Sequence, residues 1–140
     1  DELRAFSCDK PDEEFVEFVW KAEERARDRC ILFHAFPLEI EPVPMCSEDP
    51  VNSLYVSEDG CVSPCVYLTP PIQEIPRIFC GKKIIVPRIS FGNINEENLF
   101  EIWNSHEYVS FRKKWLKSAS CESVDHLPSI CRTCYKAYGI

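Results

Sequence analysis

Nine cysteines in 140 residues constrain this chain more than any other feature. The count is odd and the placement uneven: Cys46, Cys61 and Cys65 surround one short stretch, and Cys131 and Cys134 form a C-x-x-C. An oxidised secreted framework favours an even count, a signal sequence and a short loop-rich chain. This sequence opens Asp-Glu-Leu-Arg, without the basic and then apolar segment of a signal peptide, and it carries long helical stretches. Reduced thiols, some of them binding metal, are therefore expected, together with a cytoplasmic location.

Charge and hydropathy narrow the partners. A net charge of -7 with no basic stripe argues against nucleic acid, since nothing offsets phosphate repulsion. The longest apolar runs, such as residues 30–33, are far too short to span a bilayer, so no membrane partner is expected.

Periodicity predicts a helix over residues 11–29, with Pro11 in its first turn and Phe15, Val16, Val19, Ala22 and Ala26 as its apolar stripe. Residues 30–34 read as a short buried strand. Residues 37–44 are a proline-punctuated connection. Residues 52–68, "NSLYVSEDGCVSPCVYL", then read as a β-hairpin folding at a Ser-Glu-Asp-Gly turn, with Cys61 and Cys65 on its second arm. Residues 69–88 are poorly patterned, broken by Pro70, Pro71, Pro76 and Pro87, with a possible strand at 83–86. A helix is expected after Asn95 as N-cap, then a break at Asn104-Ser105. A second helix carries Tyr108, Val109, Phe111, Arg112 and Trp115. Core packing is expected for Trp103, Tyr108, Phe111 and Trp115, and plain strand, helix and loop roles for His34, His106 and His126.

A C-x-x-C lets two thiolates face one metal centre across a tight turn, as in zinc and iron–sulfur sites. A thioredoxin-like redox pair shares that spacing but sits near a βαβ pattern, whereas Cys131 follows Pro128 with no strand-like segment before it. A four-thiolate site needs two more ligands. On an extended arm Cys61 and Cys65 would lie roughly 13 Å apart, at about 3.3 Å per residue, so both are not expected to bind one centre. Cys46 and Cys65 are the better pair, brought together by folding at Gly60. Packing is the competing role for Cys65 and the expected one for Cys8, Cys30, Cys80 and Cys121. Spacing does not choose between zinc and an iron–sulfur cluster.

The pattern C-x13-G-x4-C at Cys46, Gly60 and Cys65 is followed by "FGNI" at 91–94, "LFEIWNSHEYVSFR" at 99–112 and "LPSICRTC" at 127–134. In order and kind these resemble the C-terminal SPASM or twitch domain of radical S-adenosylmethionine (SAM) enzymes, over Cys46 to the end. The resemblance implies that Cys46, Cys65, Cys131 and Cys134 bind one auxiliary [4Fe-4S] cluster. The full SPASM pattern continues to a further cysteine where this sequence has Ile140, so a second auxiliary cluster is not implied.

The resemblance implies an α+β fold: a β-hairpin followed by a helical region around an iron–sulfur site, preceded by a helix–strand element from the end of a partial α/β barrel. Residues 1–44 would be that element and residues 45–140 the SPASM/twitch domain. The barrel's C-x3-C-x2-C is missing, because position 68 is Leu68 where Cys61 and Cys65 would need a third cysteine. The chain alone is therefore not expected to be catalytic or to use SAM, which belongs to the parent radical SAM enzyme. The implied role is electron transfer or substrate positioning in a maturase. The implied partners are the N-terminal radical SAM barrel of the same parent chain and a peptide or metal-cofactor precursor. The alternative is a zinc-stapled four-cysteine interaction domain without a redox role.

Overall fold

Asp12 starts the first helix, its carboxylate accepting from the Glu14 N–H at 3.0 Å. The helix, α1 (Glu13–Asp28), has Glu13 and Glu14 in its first turn and Arg25 and Arg27 in its last, matching the helix dipole. The computed structural model describes residues 11–35, 38, 39 and 41–139, so Cys8 lies outside the described residues. These divide into two compact units, one up to Glu41 and one over Pro42–Gly139. Among them no helix is long and apolar enough to cross a membrane.

α1 stops in a Schellman turn, and this corrects the strand expected at 30–34. Ile31 N–H donates to Ala26 at 2.8 Å and Cys30 N–H to Arg27 at 3.0 Å, with Cys30 at φ +54°. Cys30 is thus a helix stop. Residues 31–35 form no strand among the described residues, and Leu32 is 97% exposed. A strand exists only through a ladder partner, and none is present there. Among the described residues, only the helix of the expected helix–strand element forms.

The second unit opens with the hairpin β1 (Tyr55–Val56) and β2 (Val62–Ser63), paired Tyr55↔Ser63 and Val56↔Val62. Gly60 closes its turn at φ +82°, its N–H donating to Ser57 at 2.9 Å. The second arm is shorter than expected. It ends at Ser63; Pro64 follows, and Cys65 precedes a 3-10 turn at Val66–Leu68. The free edge of β2 pairs with the "FGNI" segment instead, through Phe91 N–H to Val62 at 2.8 Å and Val62 N–H to Gly92 at 2.9 Å.

A second hairpin, β3 (Glu74–Phe79) and β4 (Lys82–Pro87), occupies the poorly patterned region. Its two-residue turn, Cys80-Gly81, has both φ values positive, +52° and +72°, as a type I′ turn requires. Pro76 and Pro87 are tolerated because a two-stranded sheet leaves one side of every strand unpaired. The helix expected after Asn95 instead begins at Asn98, which caps α2 (Leu99–Trp103). The Asn95 N–H is taken up by Asn93 Oδ1 at 2.9 Å, holding 93–97 in turns. Ser105 caps α3 (His106–Cys121), as the break at Asn104-Ser105 suggested.

Val62, Ile102 and Tyr108 are fully buried and Trp115 nearly so, forming the core of this unit. Phe91 stacks on Tyr108 with ring centroids 4.3 Å apart, and the Arg112 guanidinium lies 3.8 Å over Trp103. The packing role expected of Cys30, Cys80 and Cys121 does not hold. Cys30 and Cys121 are exposed at helix ends, and Cys80, in the β3–β4 turn, is disulfide-bonded.

The turn of the first hairpin is tied to the residue just after β4 by Asp59 and Arg88, 2.7 Å apart. The Ser57 hydroxyl, and then Arg88, hold the Asp59 carboxyl well below the usual carboxylate range. An unfolded aspartate titrates near about 3.9, so this contribution is whole above that pH and is lost as pH falls through the lower folded value. Asp59→Asn is therefore expected to lower the urea midpoint at neutral pH, with the gap closing in acid. A gap that persists unchanged into acid would refute this assignment.

Candidate metal centre

Four cysteines from three separate segments line one cavity in the second unit: Cys46, Cys65, Cys131 and Cys134. Each arrives by a local turn. The chain turns at Cys46, whose carbonyl accepts from Asp49 N–H at 2.9 Å with Asp49 at φ +41°. Cys65 is set by the stop of β2 and the 3-10 turn behind it. Cys131 N–H donates to Pro128 at 2.8 Å and Cys134 N–H to Cys131 at 3.1 Å, so the C-x-x-C is two successive turns. The walls are apolar: Pro64, Leu68, Phe111, Trp115 and Ile130.

The four thiols act on one another. Burial pushes the Cys65 thiol up to about 11, opposed by the Tyr67 N–H and reinforced by Cys134 and Cys46. Burial also raises Cys46, against the N–H groups of Glu48 and Asp49. Cys131 is raised furthest by burial, reinforced by Cys65 and Cys134 and opposed by the Trp115 indole. As protonated thiols these groups are stable apart from solvent; as thiolates they need a cation to offset desolvation and mutual repulsion. Backbone N–H groups thus act on two of the thiols, Cys46 and Cys65, against the effect of burial, as donors to anionic ligands would.

Arg77 of β3 reaches the same wall. Its Nη1 donates to the Ile130 carbonyl at 2.8 Å and approaches the Thr133 carbonyl at 3.4 Å, clamping the C-x-x-C turn. The turn is held from the hairpin tip as well, by Cys80 N–H to Tyr135 Oη at 3.0 Å and by Phe79 against Tyr135. Arg77 and Lys136 thus place two cationic side chains around the cavity of an acidic chain. Sequence reasoning missed Arg77. The signal was the Cys80-Gly81 turn, which fixes the hairpin and puts Ile75, Arg77 and Phe79 on its more covered face.

Cys61 stands apart from this cavity. Its residue forms a backbone bridge to Asn93, and its sulfur lies 3.8 Å from Asn93 Nδ2. The structure thus separates the two hairpin cysteines, though not by the extended-arm distance used above, because the arm ends before Cys65.

A donor set of four thiols with apolar walls and nearby cations fits a thiolate-ligated metal group. The comparisons with known proteins agree. The SPASM family model, described as an iron-sulfur cluster-binding domain, matches residues 46–135. Neither the curated proteins nor the solved structures include a significant match. The family match spans more than half of the sequence and takes in all four cavity cysteines, and the chain belongs to the SPASM family of iron-sulfur cluster-binding domains.

Proposed function

We propose that Cys46, Cys65, Cys131 and Cys134 hold one [4Fe-4S] cluster, and that the domain is the auxiliary-cluster domain of a radical SAM maturase. The observation that carries this reading is the meeting of four thiols at one apolar cavity that no other described cysteine lines. When bound, such a cluster supplies a one-electron redox centre or a fixed charged surface beside a substrate. The chain's own residues prepare the place. Arg77 fixes the C-x-x-C turn and contributes positive charge, and the N–H groups of Glu48, Asp49 and Tyr67 face the ligand sulfurs.

The barrel that uses SAM would lie in the same parent chain, with a peptide or metal-cofactor precursor as substrate. Seven free cysteines among the described residues support a reducing, cytoplasmic setting, with the Cys80 disulfide the feature that runs against it.

What favours a cluster over zinc is the family match, whose description is an iron-sulfur cluster-binding domain. Thiolate chemistry by itself suits both groups, and among the described residues no three Cys, His, Asp or Glu side chains are grouped closely enough to hold a single metal ion.

Anaerobic reconstitution with iron and sulfide is expected to give about four irons and four sulfides per chain, with a low-temperature EPR signal on reduction. Cys61→Ala should load equally. Stoichiometric tight zinc without iron uptake would overturn the cluster, and loss of iron in Cys61→Ala would overturn the ligand set.

A further inference from the structure

Three polar residues are buried among the described ones: Ser63, Thr69 and Ser118. A buried hydroxyl needs an acceptor, whereas alanine or valine in its place would need none. Ser118 lies near the end of α3, where its Oγ donates to the Ser123 carbonyl at 2.7 Å. The other two flank the ligand candidate Cys65 and share one acceptor, the Cys65 carbonyl. Thr69 Oγ1 donates to it at 3.1 Å and Ser63 Oγ at 3.3 Å. That carbonyl does not lack a partner, because Leu68 N–H already donates to it at 3.3 Å.

What the hydroxyls supply is orientation. β2 ends at Ser63, and Pro64, which has no N–H, cannot continue the ladder. Cys65 therefore stands between a strand that has stopped and a single 3-10 turn, at φ −167° and ψ 164°. This is the broad extended basin, where local sterics hold a residue's direction only loosely. The Leu68 bond is also long for an amide donor, whose usual distance is about 2.9–3.0 Å. Hydroxyls from residues 63 and 69 tie the Cys65–Val66 peptide to both flanks of the segment. The Cys65 side chain follows that peptide, and Cys65 lines the cavity. Arg77 acts from a distant strand in the same way, on the Ile130 carbonyl next to Cys131.

We propose that Ser63 and Thr69 are positioning residues for the metal group, whose hydroxyls hold the Cys65 carbonyl and so aim its side chain at the cavity before metal arrives. The inference rests on the reading of Cys65 as a ligand. It separates filling space, which valine does as well as threonine, from holding a ligand, which needs the hydroxyl.

The test follows iron loss to excess chelator after reconstitution with iron and sulfide. Thr69→Val keeps the shape of the side chain without its hydroxyl, and Thr69→Ser keeps the hydroxyl. Thr69→Val is expected to lose iron about tenfold faster than wild type, on the scale found when a ligand's outer partner is removed. Adding Ser63→Ala should speed the loss further, and Thr69→Ser should hold iron as wild type does. Ser118→Ala removes a buried hydroxyl away from the cavity and should leave retention unchanged, whatever it costs in urea midpoint. Wild-type retention in Thr69→Val overturns the proposal. Equally fast loss from Ser118→Ala overturns it too, since that would mark a general weakening of the fold.

Because Thr69→Val can also fail to fold, a second measurement keeps the residue intact. In the metal-free wild type, NMR should show the Thr69 hydroxyl proton exchanging with water more slowly than that of exposed Ser129. Exchange as fast as at Ser129 overturns the clamp and leaves the cluster assignment standing. Failure of wild type to take up iron overturns that assignment instead, and the hydroxyl exchange still decides the clamp.

Discussion

Cys131→Ala will remain folded but lose its iron. The thiol is buried and uncharged without metal, so alanine removes one sulfur atom and leaves a small void, at a cost of about 1 kcal/mol. Its effect on loading is of another order. Cys131 contributes one of only four thiols at the cavity, and no further cysteine among the described residues lines it. Iron content after reconstitution should therefore fall at least about tenfold, on the scale seen when a metal's coordination is disturbed. The thermal midpoint of the metal-free protein should move only a few degrees, at about 4–8 °C per kcal/mol for a domain of this size. Cys61→Ala serves as the matched comparison, being a thiol removed from the same region but outside the cavity. Equal iron in Cys131→Ala and Cys61→Ala would remove the basis for the ligand set.

The largest loss of fold stability is expected from Gly92→Ala. Gly92 lies at φ +155°, where side chains are strained. An added Cβ would sit 2.8 Å from Ile102 Cγ1 and 3.0 Å from Glu97 Oε1. Glu97 is exposed and can move, but Ile102 is fully buried at the centre of the core and cannot. Backbone strain of about 1–3 kcal/mol and overpacking of about 1–3 kcal/mol together give roughly 2–6 kcal/mol, a large share of what a small domain possesses. Urea denaturation should show a correspondingly lower midpoint with little change in slope. The effect should reach the metal site too, because Gly92 accepts from Val62 in the ladder that leads to Cys65. A midpoint within experimental error of wild type would show that the segment moves more freely than its packing implies.

Much of this site was legible in the sequence because ligand chemistry is written in residue type and spacing. Cys131 and Cys134 declare themselves by their separation, and Cys65 by its offset from Gly60. α1 and α3 were legible from apolar periodicity, and the break between the later helices from Asn104-Ser105. What escaped depends on partners distant in sequence. Residues 30–34 have the composition of a strand, but no composition supplies a ladder. Pro76 argued against a strand, yet the edge it needs exists only once β3 and β4 have paired. Asn95 and Asn98 are equally good caps by residue type, and the choice falls to Asn98 because Asn93 captures the Asn95 N–H. Arg77 acquires its meaning only from the turn that it clamps.

The four thiols come from positions that enclose most of the domain, with β3, β4, α2 and α3 all lying between Cys65 and Cys131. A metal group bridging them ties off that whole span and removes the chain entropy of its unfolded form, as a covalent cross-link would. The sheets to be held are slight, one of them with only two residues per strand. On the proposed ligand set, persistence of the domain is thereby coupled to iron supply. On that ligand set, copies synthesised faster than they are loaded would be the ones that open most readily, so survival of this fold would in effect count its metal.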